Sequence, residues 1–183
     1  MASMLIKHLT LPSSLLVFVF FAFTVADAMS IKDMYAFCKD TDDVNFCLKY
    51  IGTDIRILAA RDLHDVLVIA ISQCQIQLTK ATKQINKVRQ KFIGPIGTRR
   101  LYFCGKHYSL ASAFFQKAYE EAQEEGLESI AQLSAVDGSH YMFKCEDEWK
   151  NNGPIQKSPF TFYYTNVVEL LSIIQVIIEK MYG

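Results

Sequence analysis

Glycine and proline are scarce in this 183-residue chain, at 8 and 4 copies. An all-β fold turns about every 8–12 residues and draws on both, so this scarcity points away from strands. Net charge is absent as well, because 19 Lys and Arg balance 19 Asp and Glu. The balance leaves no whole-chain basic field for nucleic acid. Catalytic signatures are missing. The sequence has no Gly-x-Ser-x-Gly elbow, no phosphate-cradling loop and no dinucleotide fingerprint. It has no Cys-x-x-Cys pair and no Cys/His cluster, which removes the usual zinc pattern. His64, His107 and His140 form no His-x-x-x-His pair. Asp137 and His140 would supply only one edge of a metal site. No catalytic residue, cofactor or metal ligand is therefore assigned.

Apolar residues make up 51% of the chain and charged residues 21%, the balance of a globular protein. At about 100–200 residues per domain, one domain is expected. Residues 1–28 read as a secretory signal peptide. Lys7 and His8 give a short positive start, Leu15–Phe23 is an unbroken apolar run, and Ala26 and Ala28 form a small-x-small cleavage pattern. The run is about half of the roughly 20 residues that span a bilayer. Residues 29–183 are then the mature domain, expected outside the cell and free of the membrane. They contain no Asn-x-Ser/Thr sequon, so N-glycosylation is not expected.

Within that domain, apolar residues recur in steps of three and four. Leu63, Leu67, Ala70, Cys74, Leu78, Ala81, Ile85, Val88 and Phe92 form one stripe. Gly94-Pro95-Ile96-Gly97 is expected to end that helix. Leu101, Cys104, Tyr108, Ala111, Phe115, Ala118 and Ala122 form a second stripe, which Gly126 breaks. A third helix from about Leu127 to Trp149 carries Ile130, Ser134, Tyr141 and Cys145, with Gly138 inside it. The loop Asn151–Pro154 follows, and Ser158-Pro159 suggests an N-cap with proline at the first helical position. The fourth stripe runs Tyr164, Val167, Leu171, Ile174, Ile178, Met181. Four such helices with short connections predict an all-α, up-down-up-down four-helix bundle. Ser30 and Asp33 suggest a capping box that opens an N-terminal helical hairpin around Cys38 and Cys47.

The five cysteines all fall in the mature domain, where secretion favours disulfides. An odd count leaves at least one unpaired within the chain. Spacing alone does not fix the connectivity. Cys104 and Cys145 lie in the stripes of antiparallel neighbours, where a bridge would tie helices two and three. Cys38 and Cys47 would close the hairpin. Cys74 reads as a buried thiol acting as a small hydrophobe; a reactive or dimer-forming thiol is the alternative.

Charge is segregated along the chain. No acidic residue lies between Val66 and Tyr119, whereas Glu120 to Glu148 is rich in Asp and Glu. Neighbouring helices of opposite sign solvate one another. The same segregation could also present a basic end to a polyanion and an acidic patch to a basic cleft.

These residues carry a family resemblance. The segments are Cys38-Lys-Asp-Thr with Asn45-Phe-Cys-Leu48, Cys104-Gly-Lys-His-Tyr-Ser-Leu-Ala111, Cys145-Glu-Asp-Glu-Trp149 and Lys157-Ser-Pro-Phe160. After a signal segment, and before an apolar last helix, this framework resembles the plant invertase and pectin methylesterase inhibitor family over nearly the whole mature chain. The resemblance implies a four-helix bundle with a helical hairpin, bridges Cys38–Cys47 and Cys104–Cys145, and no catalysis. It implies a pectin methylesterase or acid invertase (β-fructofuranosidase) as partner in the apoplast or cell wall. The invertase branch's Pro-Lys-Phe segment is missing, since Gly126-Leu-Glu-Ser-Ile130 stands there. The methylesterase branch's usual Thr is replaced by His140. Lys157–Phe160 is similar to the invertase branch. The resulting expectation is stoichiometric occlusion of the pectin methylesterase cleft. Glu128, Gln132, Ser139 and His140 on the third helix are the candidate contacts. A non-inhibitory bundle that binds wall polysaccharide through its basic stretch is the alternative of a different class.

Overall fold

The computed structural model describes residues 29–124 and 127–183, apart from the side chain of Glu128. The expected signal segment 1–28 and the helix-breaking Gly126 lie outside the described residues. Every regular element described is helical: α1 (Ile31–Cys38), α2 (Val44–Cys47), α3 (Leu63–Val88), α4 (Pro95–Gln123), α5 (Leu127–Ala131), α6 (Ser139–Asn151) and α7 (Thr161–Tyr182).

The four-helix bundle is formed by α3, α4, the α5–α6 segment and α7. α3 packs on α4 and α7, α4 packs on α6, and α6 meets α7, which closes the ring. The α4 stripe is buried at every expected position from Leu101 to Ala122. The α7 stripe is rotated relative to expectation: Val167, Leu170, Ile173, Ile174 and Ile177 face the core, and Leu171 and Ile178 are half-buried. This helix is apolar on several faces, so its pattern admits more than one inward side. By length and composition α7 could cross a membrane. In the bundle its inner face packs on α3, and its buried Asn166 donates to Gln77 Oε1 at 3.2 Å.

Helix ends follow the local chemistry. Ser30 Oγ accepts from the Asp33 amide, and Asp33 returns the bond to the Ser30 amide, each at 3.1 Å, so the capping box forms. Asp62 caps α3 through the Asp65 amide. Gly94–Gly97 is not a separate loop. Pro95 is the first residue of α4, where a missing N–H leaves nothing unsatisfied. Ser158-Pro159 is not the start of α7 either. The helix begins at Thr161, and Ser158 Oγ accepts from the Phe160 amide at 3.1 Å.

The N-terminal segment folds back on the bundle. α1 buries Met34, Phe37 and Cys38 against the turn Leu48–Gly52, and α2 reaches α7. Cys38–Cys47 closes this hairpin with Cα atoms 5.6 Å apart. Cys104–Cys145 ties α4 to α6 at 4.7 Å. Trp149, fully buried, donates from Nε1 to Cys104 Sγ at 3.3 Å. Cys74 is unpaired and buried among the α3 core residues.

Candidate docking surface

The third helical segment is not one regular helix. Between α5 and α6, Gln132–Gly138 winds as a π-helix. Two serines help to widen it: Ser134 Oγ donates back to the Ile130 carbonyl at 2.6 Å, and Ser139 Oγ donates to that of Ala135. Gly138 fixes the close approach to α4. A Cβ there would lie 2.7 Å from the Phe115 ring and 3.1 Å from the Leu133 carbonyl. A π turn carries more residues per turn than an α turn, so it shifts the following side chains around the axis.

That shift sets which side chains face outward. The buried side holds Leu133, Ser134, Gly138, Met142, Cys145 and Trp149. Tyr141, expected in the core stripe, is only half-buried, and Met142 takes the inner position. Gln132 and His140 are exposed and Ser139 is half-buried, so three expected contacts lie on or beside the outer side of one segment. Glu128 belongs to α5, but its side chain lies outside the description. Two residues escaped the sequence reading: Val136, 55% exposed, and Phe143, 51% exposed. Their signal was present, since both are large apolar residues off the buried stripe.

Toward α4 the surface continues as a row of rings. Phe103 and His107 are 4.1 Å apart between centroids, His107 and Tyr141 are 5.6 Å apart, and Tyr141 stacks on Phe114 at 5.6 Å. Lys144 Nζ lies 5.7 Å from the Tyr141 centroid. Burial holds the His107 pKa below the usual histidine range, and the positive charges of Lys144 and Lys106 and neighbouring His140 add to this. Asp137 accepts from Gln132 Nε2 at 3.5 Å.

Several charges that look like surface in the sequence are structural. Glu146 is buried and accepts from Ser158 Oγ at 2.6 Å and Thr161 Oγ1 at 2.7 Å, which clamps α7 onto α6. Glu148 pairs with Arg99 at 3.0 Å. Arg100 is fully buried. It donates to the carbonyls of Asn152 at 3.1 Å and Pro154 at 2.9 Å and to Gln156 Oε1 at 3.0 Å, with its guanidinium 5.2 Å from the Trp149 centroid. The Lys157–Phe160 segment turns inward as well: Ser158 and Phe160 are buried, and Phe160 lies 5.7 Å from Tyr108 between ring centroids. At the start of α3, Asp62, His64 and Asp65 lie close enough to suggest a cation. Each is already engaged: Asp62 caps the helix, Asp65 accepts from Arg61 at 3.1 Å, and His64 Nε2 meets the Ala122 carbonyl at 2.5 Å.

The chain is thus a disulfide-pinned helical bundle with an N-terminal hairpin and a mixed apolar and polar outer face on its third helical segment. The sequence profile of the plant invertase/pectin methylesterase inhibitor family matches residues 32–177, and the chain belongs to that family. It is similar to pectinesterase inhibitor 5 of Arabidopsis thaliana, with 46% identity over 181 residues covering 99% of both chains. Among solved structures it matches the crystal structure of mutant form A of a pectin methylesterase inhibitor from Arabidopsis. The TM-score is 0.64 at 18% identity, over 80% of this chain and 95% of that one. A crystal structure of a pectin methylesterase inhibitor from Arabidopsis thaliana matches with a TM-score of 0.58 at 18% identity, over 81% and 95%. The structural likeness establishes the fold, and the family is one of inhibitors, not of enzymes.

Proposed function

We propose that this chain is a secreted, stoichiometric inhibitor of pectin methylesterase that covers the enzyme's substrate cleft with the outer side of α5–α6. The observation that carries the target is the near-full-length similarity to a pectinesterase inhibitor. The observation that supports the surface is the pairing of exposed Val136 and Phe143 with Gln132, Ser139 and His140. Apolar anchors inside a polar rim are the usual anatomy of a protein interface. An interface of about 1,200–2,000 Å² is expected. Residues 1–28 serve as the cleaved export signal, and the apoplast or cell wall is the site of action. The bundle carries no catalytic role and needs no cofactor in this reading.

The test is a titration of pectin methylesterase and of acid invertase with the purified secreted protein. Pectin methylesterase activity should fall linearly to an endpoint near one inhibitor per enzyme while invertase activity is unaffected. Inhibition of invertase alone would transfer the reading to the other branch. Inhibition of neither would favour a non-inhibitory wall bundle.

A further inference from the structure

We propose a second binding site, separate from the α5–α6 surface: a groove between the end of α3 and the first turns of α4 that binds a short acidic oligosaccharide. The groove encloses about 690 Å³, within the usual range of roughly 300–1,000 Å³ for small-ligand clefts. Ile85, Leu101 and Gly105 form its floor, and Arg89, Tyr102 and Lys106 stand around it. Thr98, Tyr102 and Lys106 follow one another at i, i+4, so they make a single outward ridge of α4. Tyr102 is 75% exposed.

Three observations choose the ligand. The charge is of one sign, because no carboxylate occurs from Val66 to Tyr119, the stretch that builds both walls. Among the described residues neither Arg89 nor Lys106 sits in an ion pair; Arg89 makes one contact of 3.4 Å with Asn86. The end of α3 accounts for basic residues near its carbonyls, but not for Lys106, about three turns into α4. The ring of Tyr102 offers an apolar face with a polar tip, which suits the C–H face of a pyranose whose carboxylate reaches a cation. Choosing galacturonate as the sugar acid rests on the pectin methylesterase reading above, whereas the acidic-oligosaccharide class rests on the groove alone.

The experiment is calorimetric titration of the protein, purified from the medium of a secreting host, with unesterified oligogalacturonate at low salt. A methyl-esterified oligomer of equal length and poly-glutamate serve as comparison ligands. The unesterified oligomer should bind and the esterified one should not. Arg89→Ala/Lys106→Ala should weaken binding about tenfold or more, and Tyr102→Ala should weaken it with both cations in place. Lys83→Ala/Lys87→Ala, on the same helix away from the groove, should leave it unchanged. The proposal is overturned by absence of binding, by equal binding of poly-glutamate, or by an equal loss in the Lys83/Lys87 pair. The groove variants should keep full pectin methylesterase inhibition. Oligomer binding by a protein that inhibits nothing would sink the inhibitor reading and leave this site standing.

Discussion

At the residue scale the interior tolerates little change. Gly138 stands where α6 meets α4, and a methyl group there would press on the Phe115 ring at 2.7 Å. Gly138→Ala should therefore destabilise the protein by about 1–3 kcal/mol. A chemical-denaturation midpoint equal to that of the parent would show that the contact relaxes freely. Cys74 presents the opposite case, a side chain with nothing to do but fill space. Complete burial pushes its thiol well above the usual cysteine range, which keeps it from the reactive thiolate form. A thiol reagent should find no reactive group in the native protein and one per chain after unfolding. Reaction at the native stage would contradict that burial. Arg100 is the residue the sequence disguised most. It stands beside Arg99 in a basic run, yet it is buried and holds the carbonyls of the 152–156 loop, while Arg99 is exposed and pairs with Glu148. Net charge along a chain carries no information about which member of an Arg-Arg pair turns inward.

At the element scale, legibility differed from helix to helix. Every stripe position of α4 from Leu101 to Ala122 is buried, and Arg100 and His107, outside the stripe, are buried beside it. α7 is apolar on several faces, so periodicity fixed its existence but not its inward side. The break in the third helix was marked only by Gly138. The π turn arises from Gly138 packing on α4 together with serines bonding backward, and the first of these is a tertiary contact that no local pattern records. The two bridges differ in the loop they close. In the chain-entropy account the 41-residue separation of Cys104–Cys145 contributes about 4 kcal/mol, against about 2.7 kcal/mol for the 9-residue Cys38–Cys47 loop. The double replacement Cys104→Ser/Cys145→Ser should lower stability more than Cys38→Ser/Cys47→Ser, and the reverse order in urea unfolding would contradict it.

The strap between the hairpin and α3 adds a pH prediction. Asp54 accepts from Arg56 Nη2 at 2.6 Å and Nε at 2.9 Å, and from Gln73 Nε2 at 2.7 Å. Bonding to the Arg56 side chain lowers its carboxyl to about 2 despite opposing burial. Because the folded value lies below the unfolded one of about 3.9, this contribution is fully present above that pH. It is lost as pH falls through about 2. Asp54→Asn should therefore lower stability at pH 5 and differ little from the parent at pH 2, by denaturation midpoints at both. A constant difference across that range would contradict the linkage.

At the scale of the whole molecule, the segregated charges do two different jobs. Glu146 and Glu148 are consumed by internal contacts with α7 and α4, so the acidic stretch is a weaker outer patch than its composition suggests. The proposed docking surface was half legible. Its polar members on the third helix could be named from the sequence, but the apolar members Val136 and Phe143 became visible only once the π turn had set the buried side. If acidic residues of this face still steer encounter with a basic cleft rim, raising salt should slow association more than it speeds dissociation.

The most direct trial of the inhibitory surface is an activity titration of pectin methylesterase with Phe143→Ala/His140→Ala beside the parent protein, helical content being matched by circular dichroism. Phe143 supplies apolar area and His140 a polar rim. Their joint removal should weaken inhibition by about tenfold or more, an amount expected of anchors worth above 1 kcal/mol each. Inhibition equal to the parent's, by a variant with the parent's helical content, would contradict the account and place the contact on another face of the bundle.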